Sequence, residues 1–329
     1  MMRYLLVLFA FTQMSCGRLL AQDVQNDNVE LESNIIPYRP RIAEITFNNL
    51  YDYNINSNSE AFGDANSEIE RDTQMKIRLG IPIIMKDETM FGMQLKYDRH
   101  NFIMDKDYDN TSYELYDHIE THKFTSIGGR FLFQQGFDEN KQITVVAGAE
   151  MKSDQFKWQL NTTKYYALAS YEVALNKDTK IGGGLSMGYS LMAFQIYPFL
   201  SYEHNLSSRF TMDLYLPKSA ALRYKVNRKF YITGSAEVKG WRYAVSNNEL
   251  MPNEILTLRK SDIYIGLSFE HEIYDWLWCG FDSGYAMNLR SYLARPGDRR
   301  RDAVIELNSD NAPYARFSLF IVPPKKFYK

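Results

Sequence analysis

Two short stretches carry residue types that could do chemistry. "GLSMG", Gly184 to Gly188, has the G-x-S-x-G spacing of serine hydrolases. That chemistry needs a strained strand-to-helix elbow to present the Ser186 hydroxyl. Here the pattern lies inside "TKIGGGLSMGYSL", an unbroken two-residue alternation with no helix after it, so Ser186 reads as one side chain of a glycine-rich strand wall. "HIETH" places His118 and His122 four residues apart. On a helix they could share a metal, but the zincin glutamate would directly follow the first histidine, and Ile119 stands there. On a strand the rings would be roughly 13 Å apart, too far for one zinc ion. Both read as surface-loop histidines. His204 and His271 fall near expected short turns and His100 near an expected long loop. No serine is placed beside any of them in the way nucleophilic catalysis requires. The expectation is therefore a protein that is not an enzyme, with no catalytic residues, cofactor or metal site. "RPGDRRRD", Arg295 to Asp302, is the densest charge run. It reads as a solvated loop, or as a contact to lipid phosphates through the bidentate arginine fork, or as a loop that folds into a pore.

The remaining charges are ordered by position. They recur at every second residue, opposite apolar partners, which is the strand period. In "KFYITGSAEVKGW" the apolar face is Phe230, Ile232, Gly234, Ala236 and Val238, and the polar face ends in Glu237 and Lys239. The same split recurs in "DTQMKIRLGIPIIM", "TMFGMQLKYD", "KQITVVAGAEMK", "SRFTMDLYL" and "SDIYIGLSFEHE". The polar rows supply a candidate interior surface: Lys76, Arg78, Lys96, Asp98, Arg130, Glu150, Lys152, Glu172, Arg209, Asp213, Arg223, Lys225, Glu237, Lys239, Asp262 and Glu270. Both signs occur, so an open pore would have weak ion selectivity. Tyr166, Leu168, Phe199, Tyr215 and Tyr231 also fall on inward rows and keep a channel for hydrophobic cargo open as a reading.

The connections set the architecture. Short turns at Lys86–Glu88, Phe137–Asn140, Asn176–Asp178, Asn205–Ser207, Asn227–Arg228 and Tyr274–Asp275 alternate with mostly longer polar connections. The latter lie near Asn54–Arg71, Asp105–Asp117, Ser153–Thr162, Ser246–Leu256 and Arg290–Asn311, with two shorter ones around Met192 and Pro217–Ser219. That asymmetry is the mark of outer-membrane barrels. Strands are expected to start near Ile42, Thr73, Thr89, His122, Gln142, Lys164, Thr179, Ala193, Arg209, Ala220, Lys229, Leu258, Trp276 and Pro313. The expected fold is an all-β, antiparallel, up-and-down transmembrane barrel of about 14 strands, with 12 if one hairpin drops out. Long amphipathic helices are not expected. Gly and Ala mixed into the apolar faces suit lipid better than a close-packed core. Pairs at strand ends (Tyr51 and Tyr53, Tyr165 and Tyr166, Trp241 and Tyr243, Trp276 and Trp278) read as interface girdles. A soluble β-sandwich is the rival, since its strands alternate too.

Composition agrees. The chain has 329 residues and a formal net charge of −2, with no basic patch to advertise nucleic acid. Arg3, the apolar run "YLLVLFAF" and Ala21 read as a signal peptide over 1–21. A second reading makes Cys16 a lipidated cysteine. Cleavage would leave Cys279 alone, with no internal disulfide possible. Residues 22–40 read as a periplasmic segment and 41–329 as the barrel, placed in the outer membrane of a Gram-negative bacterium.

The stretches "LLAQ", "LGIPIIMKDETMFGMQLKYD" and "MDLYLPKSAALRYKVNRKFYITGSAEVKGWRY" resemble an uncharacterised outer-membrane β-barrel family, a domain of unknown function common in Bacteroidota. The resemblance implies a place and a fold, with outer-membrane lipid and the barrel-assembly machinery as partners, and no chemistry. Many such barrels end on an aromatic residue, whereas this chain ends "PPKKFYK". The function expected is porin-like passive passage of small polar solutes or ions. A non-conducting structural or surface-interaction barrel is the alternative, and an outer-membrane hydrolase comes third.

Overall fold

The computed structural model describes residues 41–86, 88–105, 113–138, 140–155, 162–246 and 250–322. The signal-peptide, Cys16 and 22–40 readings, and the C-terminal aromatic residues Phe327 and Tyr328, lie outside the described residues. Strands β1 (Ala43–Asn58), β2 (Ala65–Lys86), β3 (Thr89–Met104), β4 (Phe124–Asp138), β5 (Lys141–Ser153), β6 (Thr163–Asn176) and β7 (Thr179–Ser190) run antiparallel in chain order. They are followed by β8 (Ala193–Asn205), β9 (Phe210–Leu216), β10 (Ser219–Asn227), β11 (Phe230–Val245), β12 (Leu256–Tyr274) and β13 (Leu277–Ala294). The last stave is in two pieces, β14 (Ile305–Ser309) and β15 (Ala312–Ile321), and both pair with β13 on one side and β1 on the other. Ala43 pairs with Ile321, which closes the sheet into a 14-stave barrel and puts both ends of the wall on the side of the short turns. Closure satisfies the backbone groups that hydrocarbon cannot.

The outer surface of the middle of the barrel is apolar. Phe47, Ile77, Leu79, Leu95, Phe131, Ile181, Leu185, Ile265, Leu267, Phe281 and Phe317 are all exposed. In a water-soluble domain so continuous a band would be an anomaly; on a closed antiparallel barrel it is the lipid-facing belt. These strands form because β-branched and aromatic residues alternate with polar ones, and the sequence places turn formers at the short ends. At two of these turns an asparagine Oδ1 accepts a backbone N–H two residues on, from Asp178 to Asn176 (2.9 Å) and from Lys229 to Asn227 (2.7 Å).

Four sequence expectations are corrected. β2 starts at Ala65 rather than near Thr73, and the last stave starts at Ile305 rather than near Pro313. In both places the wall continues beyond the apolar belt, where outward residues such as Asn54, Asn56 and Glu70 meet water and inward ones such as Tyr53, Ile55 and Ile69 are buried. The alternation there is inverted, so it lacks the lipid-facing signal. An eight-residue helix, α1 (Glu114–Thr121), lies in the β3–β4 connection, with His118 and His122 at its end instead of on a loop or strand. Finally, Trp241, Tyr243, Tyr53 and Trp278 belong to no girdle. Tyr53 and Tyr243 are buried in one interior cluster against which Trp241 packs, and Trp278 is buried in a second, with Tyr231 and Phe320. Trp241 and Tyr243 share the parity of Lys239, and so point inward with it.

Candidate functional site

A ring of 14 strands is wider than the eight-stranded barrels whose side chains just fill the interior, so something else must occupy the space or leave it open. At the outer end it is filled. Tyr53 and Ile55 of β1, Phe102 of β3, Phe124 of β4, Tyr243 of β11, Leu258 of β12, Leu293 of β13 and Leu307 of β14 converge with Leu115, Tyr116 and Ile119 of α1 in one buried cluster. Tyr116 fixes the helix: Ser57 Oγ donates to its hydroxyl at 2.5 Å, and the hydroxyl lies 3.1 Å from the carbonyls of both Ile55 and Ala65. Burial pushes the Tyr116 phenol up to about 12. A cavity of about 20 Å³, room for roughly one water, is left beneath the helix. The floor of this plug is polar. His100, wholly buried, bonds Asp72 through Nε2, and its ring sits 5.1 Å from that of Trp241. Lys260 reaches across from β12 to Tyr53 Oη (3.3 Å) and to Asp72 (4.0 Å).

Below the plug the inward rows carry charge, and the charges are sorted. Arg78, Lys96, Lys152 and Lys164 gather on the β2–β6 side around two carboxylates. Arg78 pairs with Asp98, while Glu150 meets Lys152 and Lys164 at 3.1 Å each and Lys96 at 3.8 Å. Arg130, opposite Gln94 and Gly148, faces the same group. Lys76 lies between Thr46 and Asp98 on the neighbouring strands. The β6–β10 side is balanced: Glu172, Glu203 and Asp213 meet Lys180, Arg223 and Lys225. Glu237 bonds Lys239 at 2.9 Å and lies 3.8 Å from Lys218. Asp262 accepts from Asn288 (2.8 Å), Glu270 pairs with Arg41 (2.5 Å), and Lys225 stands opposite Tyr231. Arg209 is a correction. It is exposed in the β8–β9 turn, because the strand begins one residue later at Phe210.

Nothing in the residue pattern marks a break in the wall. β9 and β10 have only 7 and 9 residues. At barrel rise and tilt, β9 climbs ~18 Å, short of the ~25 Å apolar band. Pairing of β8 with β9 stops at Leu200, and pairing of β10 with β11 stops at Glu237. Above them Ala193–Phe199 of β8 and Lys239–Tyr243 of β11 have a strand partner on one side only. Two absent strands leave three inter-strand spacings, ~14 Å, at the base of this gap. The gap is roofed where the barrel pinches: Ala244 of β11 pairs in parallel with Ser153 of β5, and Arg242 Nη1 donates to the carbonyl of Ser190 at 2.8 Å. Phe194, Gln195, Ile196, Tyr197 and Pro198 are exposed in succession, inward and outward positions alike. Pro198 suits an edge strand, since it has no N–H to leave unpaired.

The two chemical motifs resolve into structure. "GLSMG" lies in mid-strand of β7, and the Phe199 ring occupies the place where a Gly184 Cβ would be, 2.6 Å away. Glycine is required because a Cβ would also meet the backbone carbonyl oxygen of Ala169. His118 Nε2 lies 3.1 Å from Asp154 Oδ2, and the His118 and His122 rings stack at 4.0 Å. Among the described residues no group of three His, Cys, Asp or Glu side chains is arranged to hold a metal ion. Three of the four "RPGDRRRD" arginines meet carboxylates, Arg295 with Glu254 (2.8 Å), Arg300 with Glu306 (3.4 Å) and Arg301 with Asp302 (3.3 Å).

A closed antiparallel barrel with an apolar outer belt and a charged interior defines the chain as a transmembrane β-barrel. Residues 167–295 match a family described as a domain of unknown function, DUF6268. No curated protein matches. Among solved structures the chain is similar to a FadL homologue of Pseudomonas aeruginosa, at 9% identity over 86% of this chain and 90% of that one, TM-score 0.44. It is similar to the toluene transporter TodX of P. putida, at 7% identity over 87% and 90%, TM-score 0.40. The NanC porin shares 7% identity over 83% of this chain and 98% of its own, TM-score 0.35.

Proposed function

We propose that this protein is a non-enzymatic outer-membrane channel for small polar solutes, with its outer mouth closed along the barrel axis in this conformation. The observation that carries the reading is the sorted interior charge. Lys76, Arg78, Lys96, Arg130, Lys152 and Lys164 outnumber Asp98 and Glu150 on the β2–β6 arc, while the neighbouring β6–β10 arc is balanced, which sets up a field on one side of the interior. The cationic side outweighs its two carboxylates, so anions are preferred over cations. Purified protein in a planar bilayer gives small, anion-preferring current steps, and Arg78→Glu with Arg130→Glu shifts the reversal potential toward cations. Absence of steps at every voltage, in native protein and in a variant with the α1 side of the plug truncated, would return the chain to the non-conducting scaffold reading.

The gap between β8 and β11 favours a second reading. It lies at the depth of acyl chains and is edged by Phe194, Ile196, Leu200 and Leu216, all exposed. Solutes with an apolar body would leave the interior sideways through it into the bilayer. Uptake of an uncharged aromatic solute into protein-containing vesicles, above the rate for empty vesicles, supports this route; equal rates remove it.

A further inference from the structure

The outer ends of β11, β12 and β13 hold three arginines on one outward face. Arg242 stands opposite Arg259, Arg259 opposite Tyr292, and Arg290 opposite Ser261. A β-bulge creates the group. Asp262 pairs with Asn288 but Ser261 with Arg290, so Leu289 is the extra residue. Asn288 points inward to Asp262. Without the extra residue Arg290 would follow it inward; the bulge turns Arg290 out, beside Arg259.

None of the three is in an ion pair with a carboxylate among the described residues. Arg242 donates to the Ser190 carbonyl (2.8 Å) and Arg259 to the Tyr292 hydroxyl (2.9 Å), its guanidinium lying 5.7 Å from that ring's centroid. Elsewhere on the outer loops, Arg295, Arg300 and Arg301 each have an acidic partner. Three like charges on adjacent strands repel one another unless an anion lies among them. Their depth says which anion. On β12 the outward residues Phe269, Leu267, Ile265 and Ile263 form the apolar belt, then come Ser261 and Arg259. The climb from Phe269 to Arg259 is ~26 Å, the height of the ~25 Å band. The guanidinium groups therefore stand at the level of the outer headgroups.

We propose that Arg242, Arg259 and Arg290 form a site for the phosphate of an outer-leaflet lipid, whose acyl chains lie along Ile263, Ile265 and Leu267. Guanidinium suits phosphate because two parallel N–H donors match two oxygens, and Tyr292 holds the Arg259 fork in place. The site is independent of what the interior carries.

Native mass spectrometry of the full chain in detergent tests this, with phosphorylated lipid A and its dephosphorylated form as probes. The phosphorylated lipid should bind at least tenfold more tightly, and Arg259→Gln with Arg290→Gln should abolish the difference. Arg300→Gln with Arg301→Gln should keep it. The heat-dependent shift in gel mobility of the folded barrel checks that each variant folds, and single Arg290→Gln, on the most exposed of the three, serves if the double variant does not. Equal binding of the two lipids, or a preference unchanged in a folded variant, overturns the proposal. Displacement of the lipid by millimolar inorganic phosphate would make this a site for free phosphate and overturn it equally.

Discussion

Single side chains in this barrel are read correctly only with the neighbour across the strand in view. Gly184 is half of a hydrolase signature in the sequence and the seat of the Phe199 ring in the fold. Gly184→Val should press on both the Phe199 ring and the Ala169 carbonyl and lower stability by about 1–3 kcal/mol, as overpacking does, read as an earlier heat-induced gel shift. Ser186→Ala should leave both the fold and any background ester hydrolysis unchanged; a loss of turnover would restore the hydrolase reading. Asp72 and His100 form a buried pair that no spacing announced, because the partners lie on different strands and meet only once β2 and β3 are in register. Asp72→Ala leaves His100 and Lys260 without their shared carboxylate. It should cost about 3–5 kcal/mol, measured by urea unfolding in detergent against His100→Gln. The charged rows, by contrast, rest on the two-residue period, and Arg209 falls outside them because the turn ends one residue later than alternation suggests.

Helix α1 shows what an element adds. "ELYDHIET" has Leu115 and Ile119 one helical turn apart and acids Glu114 and Asp117 in its first turn, which suits the helix dipole. Eight residues are too few to form a helix alone. Its stability comes from the plug it enters, and a plug is invisible to a reading that expects polar outer loops. Ile119→Asp should eject the helix and raise channel conductance several-fold; unchanged current would mean that the wall residues alone seal the mouth. The pH response has a definite sign. Tyr116 has its phenol pKa raised above the unfolded value of ~10, so the stabilisation it gives is whole below pH ~10 and is lost as pH climbs toward about 12. Alkaline opening across that window should be present in the native protein and weaker in Tyr116→Phe.

At the scale of the molecule, alternation encodes which medium each face meets, and the medium changes along the strand. Inside the apolar belt oily residues point out; above it they point in, as Tyr53 and Ile55 do. The inversion explains why the sequence yielded the number of staves and their order, yet placed the starts of β2 and the last stave too late. It also explains why Trp241 and Tyr243, which belong with the plug, read as a girdle pair. The uneven height of the wall has a different origin. β9 and β10 look like ordinary strands in sequence, and their shortness matters only because β8 and β11 rise past them. Lengthening that hairpin by six alternating residues on each strand, apolar outward and polar inward, should carry the pairings on to Phe194 of β8 and Tyr243 of β11 and fill the gap. Ionic conductance through the interior should persist, while vesicle uptake of an uncharged aromatic solute should fall to the rate of empty vesicles. Should uptake survive in the lengthened barrel, the solute would be passing along the axis, and the low wall would be a consequence of the pinch between β5 and β11 rather than a doorway.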